Sequence, residues 1–177
     1  MFRRIILLLV LPFVLFGANL SFKSGVIQAH TKVFGDSSID PSAKNIKADI
    51  SMQYSSIDSI KGTLSFNIID FKSSNDGRDE HMQEMFDMKK YSSVSLTIDK
   101  VTPQNNQYLI KATLNMHGVT KPIDINSTIV QNNGTVTINA NFSVKVSDYG
   151  MEPPSLVFFT VRDRVDINAS IALKQVQ

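Results

Sequence analysis

Apolar and polar residues alternate along most of the chain, and the alternation predicts strands. Ile46, Ala48, Ile50 and Met52 alternate with Lys47, Asp49, Ser51 and Gln53, the pattern of a strand with one wet face. Leu64, Phe66 and Ile68 repeat it within residues 60–71, where Ile69 and Phe71 change parity and predict a bulge. Val94, Leu96 and Ile98 pair with Tyr108, Ile110, Ala112, Leu114 and Met116 as a hairpin across the polar loop 103–106. Ile123, Ile125 and Ile129 precede the turn signal Asn132-Asn133-Gly134, and Val136, Ile138, Ala140, Phe142 and Val144 complete a second hairpin. After a connection at 148–155, residues 156–161 and then Val165, Ile167, Ala169, Ile171 and Leu173 read as strands. At the other end, residues 19–33 predict one or two strands broken near Ser24-Gly25. Residues 34–45 predict a loop rich in Gly, Ser, Asp and Pro.

One stretch breaks the two-residue period. Residues 78–91, RDEHMQEMFDMKKY, place Met82, Met85 and Phe86 at i, i+3 and i+4 and so predict a short amphipathic helix. Asp76 is the expected cap, Asp79 and Glu80 suit the positive end, and Lys89 and Lys90 suit the negative end. A lone helix among strands must lay its apolar stripe on the sheet or over the end of a barrel.

About eight strands, each with one apolar face and mostly joined by short turns, must close on themselves or pack in pairs. Strands of about ten residues, roughly 33 Å long, suit an up-and-down barrel better than a sandwich of seven short strands. The architecture expected is all-β with one helix inserted midway.

Residues 1–18 change the picture of location. Arg3 and Arg4, an apolar run from Ile5 to Phe16, and small Gly17 and Ala18 have the three parts of a secretory signal. An uncleaved anchor is the alternative, but the run is short against the ~20 residues a spanning helix needs. Cleavage gives a domain of residues 19–177, exported to the periplasm, with no stable membrane span. Loss of Arg3 and Arg4 leaves 16 basic against 16 acidic residues, so nothing argues for nucleic acid. The chain has no cysteine, which excludes disulfides, thiol catalysis and zinc-thiolate sites.

The helical stretch also resembles the signature of the YceI-like family, the lipocalin-like polyisoprenoid-binding proteins of bacteria. That signature reads Arg-Asp-x-His-Leu, then Phe-Asp, then Tyr-Pro. MHGVTKPIDI, beginning at Met116, is similar to the family's His-Gly-Val-Thr-Lys-Pro segment, with weaker matches at Ser147-Asp148-Tyr149-Gly150-Met151 and Val161-Arg162-Asp163. Ser92 and Ser93 depart from the proline after the tyrosine, and Val146 stands where an arginine usually precedes Ser-Asp. The resemblance implies an extended eight-stranded antiparallel lipocalin-like barrel, periplasmic, non-enzymatic, holding a long isoprenoid or acyl chain. The absent arginine removes whatever head-group contact it would have made.

Such a function needs an apolar tunnel with a few polar groups at its mouth. The expected lining is Leu64, Phe66, Ile68, Leu96, Leu114, Met116, Ile138, Phe142 and Phe158, with Met82, Met85 and Phe86 from the helix. Burying one five-carbon unit contributes about 3–4 kcal/mol before ordering costs are subtracted. The ligand class expected is a polyisoprenoid, quinone or fatty-acid derivative, with no cofactor. The same side chains also fit a structural or interaction domain with a filled core and no ligand. Arg78, Asp79 and His81 are expected to tie the helix to the turn at His117 through charge-assisted hydrogen bonds. An enzyme using His81, His117 and nearby carboxylates is a third reading. His30, His81 and His117 lack the spacing that would enforce a metal site, and no serine sits in a nucleophile motif. Asn126 and Asn168 fit an extended acceptor pattern for bacterial glycosylation, and parity points both outward. Nothing in the sequence excludes a homodimer.

Overall fold

The computed structural model describes residues 17–33, 37–153, 155–156 and 159–176. Of the expected export signal only Gly17 and Ala18 fall among these, and Phe158 lies outside them. Eight long strands form the wall: β1 (Gly17–Val33), β2 (Ile46–Gln53), β3 (Lys61–Asn67), β4 (Ser93–Gln104), β5 (Gln107–Met116), β6 (Val119–Asn132), β7 (Thr135–Lys145) and β8 (Arg164–Val176). Each pairs antiparallel with its neighbour in sequence. β8 returns to β1, from Asn19 opposite Val176 to His30 opposite Asp166, and closes an eight-stranded barrel. Closure removes the sheet edges that a row of half-apolar strands would otherwise expose.

The turns follow from residues that tolerate positive φ. Asn133 and Gly134 (φ 46° and 70°) join β6 to β7, and His117 and Gly118 (φ 53° and 74°) join β5 to β6. Two consecutive positive φ values match the twist of the flanking strands. At Gly118 a Cβ would lie 2.4 Å from the Tyr91 ring, so the turn and that ring require glycine together.

Several predicted elements differ in the structure, among them the loop expected at 34–45, which holds short strands at Ser37–Ile39 and Ser42–Ala43. The helix α1 spans Asp76–Met85 rather than 78–91, and its N-cap is Asn75, whose side chain accepts from the Arg78 amide. It stops because Asp87 is left-handed (φ 46°) and its carbonyl takes the amides of Lys90 and Tyr91 in a turn. The predicted bulge at Ile69 is instead a 3-10 turn at Ile68–Asp70, reached after β3 ends at Asn67. The strand expected at 156–161 is two short pieces, Ser155–Leu156 and Phe159–Thr160, paired as a small hairpin. β1, by contrast, is a single strand, with a register shift between Phe22 and Ser24 where a break was expected.

The interior divides along the barrel axis. The end that holds the start of β1, the turns after β4 and β6 and the end of β8 is packed solid. Leu20, Ile50, Met52, Ile60, Ile98, Val101, Ile110, Ile125, Ile129, Val136, Ile138, Ile171 and Leu173 form one buried cluster there. The other end carries a second cluster around Phe66, Phe71, Phe86, Leu114 and Met116, and α1 contributes Met82 and Met85 to it. In that half β1 leaves β2 and pairs instead with Ser37–Ile39 and Ser42–Ala43, and a bridge from Ser42 to Lys72 carries the wall onward. The β6–β7 ladder also stops there, at Asn126 opposite Asn141, although both strands continue. A shallow groove of about 370 Å³ lies where they part, with Ile123 and Val144 in its wall and Lys121, Lys145 and Arg164 around it.

Candidate functional site

Hollow space fills the half of the barrel that the solid core leaves. The cavity measures about 620 Å³, within the range of roughly 300–1,000 Å³ typical of small-molecule sites. Leu64 and Phe66 reach it from β3, Leu96 from β4, Leu114 and Met116 from β5 and Phe142 from β7. Met82, Met85 and Phe86 close it from the helix. These nine were expected from the sequence and the fold gathers them around one space. Phe66 and Phe71 sit with ring centroids 5.4 Å apart in the wall.

Two expected lining residues lie elsewhere. Ile138 is part of the solid end, in register with Ile129 and Ile171, and Ile68 is buried in the 3-10 turn behind the wall. Other lining residues were not singled out from the sequence. β1 supplies Ile27, Ala29 and Thr31, the segment after it Ile39 and Pro41, and β8 Val165, Ile167, Ala169 and Ile171, the last of which also belongs to the buried cluster of the solid end. The alternation on β8 was visible; what faces the cavity from 37–43 has no period to reveal it. Val146 turns its side chain into the cavity, so the arginine expected of the resemblance is replaced by an aliphatic wall.

Polar groups cluster at one end of this space: Asn75, Arg78, His81 and Arg162. Thr31 is also there, but its hydroxyl is committed to the carbonyls of Arg162 and Arg164. Segment 37–43 is tied to β1 by Asp40, whose carboxylate meets His30 Nδ1 at 2.5 Å and the Ser38 hydroxyl at 2.6 Å. The Ser38 hydroxyl, then His30, hold the Asp40 carboxyl below the usual carboxylate range. With the folded-state value depressed, this tie is present above the ordinary carboxylate value and is lost only as pH falls through the lowered one.

The helix is braced differently from the sequence expectation. Asp79 is only 3 % exposed, and it accepts from the Ser73 amide at 2.8 Å and the Ser73 hydroxyl at 2.7 Å, with Lys72 Nζ 3.8 Å away. Among the described residues neither Asp79, Arg78 nor His81 bonds the His117 turn. His117 instead places Nδ1 3.0 Å from the Tyr149 carbonyl oxygen and its ring edge-on to Tyr91, centroids 4.9 Å apart. α1 caps the cavity from the Ser73 side, where Asp79 is engaged, and it is Tyr91, beyond the helix, that reaches the turn. Replacing Asp79 with Ala should therefore cost about 1–3 kcal/mol, because the Ser73 donors lose their acceptor. Amide exchange at residues 76–85 should accelerate in that variant, and exchange equal to that of the unaltered protein would show the brace to be idle.

The remaining motif segments meet at the same end. Asp163 accepts from the Ser147 amide at 2.9 Å and its hydroxyl at 2.7 Å, and these bonds, the amide foremost, lower its pKa. Burial, reinforced by Asp148, raises that of Tyr149. Lys121 reaches Asp148 at 3.5 Å. The three histidines do not converge: His30 goes to Asp40, His117 to Tyr149, and His81 lies exposed at the cavity mouth. Asn126 and Asn168 are both exposed on the outer wall, each in register with Asn141.

The YceI-like domain matches residues 19–173 of the sequence. The chain belongs to the YceI-like family. Solved structures agree on its fold. BcnA of Burkholderia cenocepacia superposes with a TM-score of 0.74 at 16% identity, over 84% of this chain and 95% of that one. The Campylobacter jejuni YCEI protein gives 0.68 at 21% identity, over 80% and 86%. A polyisoprenoid binding domain from Saccharophagus degradans, implicated in plant cell wall breakdown, gives 0.65 at 13% identity, over 92% and 100%. A comparison with curated proteins finds no match. In this YceI-like barrel the signature residues therefore have visible tasks: Asp79 anchors the capping helix, His117 and Gly118 shape the turn under Tyr91, and Ser147 and Asp163 pin the rim.

Proposed function

We propose that this YceI-like protein is a periplasmic carrier or scavenger that buries the tail of one long-chain amphiphile in the hollow half of its barrel. The observation that carries the reading is the cavity itself, about 620 Å³ and walled by aliphatic, aromatic and methionine side chains. An apolar wall gains with each methylene removed from water, about 0.8 kcal/mol per CH₂. Met82, Met85 and Met116 add thioethers that repack around tails of differing shape. The Saccharophagus domain with the same fold is described as polyisoprenoid binding, which supports a lipid in this position. Residues 1–18 support export. No described helix is long and apolar enough to cross a membrane. The reading is one of binding rather than catalysis: among the described residues the polar side chains sit at the rim of the cavity and apolar ones line its depth.

A ligand that binds only the folded state raises its stability by about 2.7 kcal/mol at a hundredfold excess over Kd. For a chain of this size that is an upward shift in Tm of about 5–10 °C. Delipidated protein should show such a shift with at least one of a polyprenyl alcohol, a quinone or a fatty acid. An unchanged Tm with all three would leave a barrel that serves as an interaction domain without ligand.

A further inference from the structure

The cavity is apolar along its depth, yet its mouth has a sign. Three titratable side chains line it among the described residues, Arg78, His81 and Arg162, and no described Asp or Glu does. The nearby carboxylates are turned to other partners. Asp166 lies 3.6 Å from Arg162 but is shared with Arg164 at 2.9 Å and with the Ser143 hydroxyl at 2.7 Å. Asp40 is engaged by Ser38 and His30 and feels Arg78 only as the weakest of its influences. Asp79, next to Arg78 in the chain, is turned away and buried against Ser73. No ion pair among the described residues involves the Arg78 guanidinium, which is half-buried at the rim.

A guanidinium presents a planar fork of donors matched to oxyanions and stays charged at any working pH. Its hydrogen bonds to an ionised acceptor are about twice as strong as neutral ones. Arg78 enters from the first turn of α1 and Arg162 from the segment before β8, so the two come from separate elements to one opening. An amphiphile whose tail fills the hollow half leaves its head group there.

We propose that this mouth is an oxyanion-recognition site, and that the ligand class is a long-chain amphiphile with an acidic head group, carboxylate or phosphate. This rests on the carrier reading above and narrows it: a neutral head gains little at the rim, and a cationic one is repelled.

Four probes with the same sixteen-carbon tail separate the possibilities: hexadecanoate, hexadecyl phosphate, hexadecanol and hexadecylamine. Binding to delipidated full-length mature protein is measured at pH 7.5 by displacement of a fluorescent lipid, at low and at high salt. One or both acids should bind at least about tenfold more tightly than hexadecanol, and the amine more weakly than the alcohol. The acid-to-alcohol ratio should fall toward one in the double variant Arg78→Gln, Arg162→Gln, and persist in Arg78→Lys, Arg162→Lys, which keeps both charges. Circular dichroism establishes that each variant is folded. Equal binding of acid and alcohol, tighter binding of the amine, or an acid preference that survives the double glutamine variant would overturn the assignment while leaving the carrier reading in place. Failure of all four probes to bind would overturn the acidic-head assignment, and the carrier reading would fall with it only if the polyprenyl alcohol and the quinone also left Tm unchanged.

Discussion

Met52→Ala should destabilise the protein by about 2–5 kcal/mol, whereas Met85→Ala should cost about 1 kcal/mol or less in the delipidated state. The residue type is the same and both side chains face inward. Met52 is fully buried in the solid end, where neighbours on every side lose contacts when the thioether goes and the backbone cannot collapse around the void. Met85 is half-buried at the end of α1 with the cavity on one side, so it has fewer neighbours to lose. Urea denaturation of the two variants measures the difference directly. Equal losses would mean that the capped half is as tightly filled as the other, which removes the space on which the functional reading depends. Saturating ligand should widen the effect of Met85→Ala, since bound tail supplies the contacts that the empty cavity lacks.

Phe142→Asp is expected to abolish retention of an apolar tail without unfolding the barrel. Phe142 is half-buried on β7, opposite Ile167, where it packs against the edge of the solid core and lines the cavity. In the ligand-free protein an Asp there can be hydrated by cavity water. Binding must strip that water and leave a carboxylate against methylenes, which costs several kcal/mol per ion. A loss of about 3 kcal/mol or more corresponds to at least a hundredfold weaker affinity. Phe142→Leu, which keeps the wall apolar, should bind within a few-fold of the unaltered protein. Ligand occupancy by mass spectrometry under native conditions reads both variants, and undiminished occupancy in Phe142→Asp would place the tail somewhere other than this cavity.

Much of the fold was legible because strand parity is a strong signal. Every second residue of β4 through β8 had to find an interior, and a closed antiparallel barrel is what such a row of strands forms. Parity fixes in against out, but it does not fix height along the barrel axis. Ile138 and Phe142 share a face of β7, yet four residues separate the solid end from the hollow one, so one packs with Ile129 and Ile171 while the other lines the cavity. Ile68 misled for a related reason: the chain leaves the strand at Asn67, and alternation carries no meaning in a 3-10 turn.

The motifs were legible as motifs and less so as contacts. Asp79 was expected to reach the His117 turn, and it bonds Ser73 six residues earlier instead. A short, local carboxylate-to-amide contact is available as soon as the helix forms, and the His117 turn is met instead by Tyr91, beyond the helix. Ile39 and Pro41 gave no warning of their place in the cavity wall, since the segment that holds them has loop composition and gains its position only from pairing with β1.

The central claim is that the hollow half of the barrel holds a lipid tail. Mass spectrometry under native conditions of the protein purified from its own cells, followed by organic extraction, tests it most directly. The account predicts a stoichiometric mass above that of the polypeptide, released on extraction as a single class of long-chain species. A bare polypeptide mass, with no added mass after incubation with polyprenyl lipids, quinones and fatty acids, would contradict it.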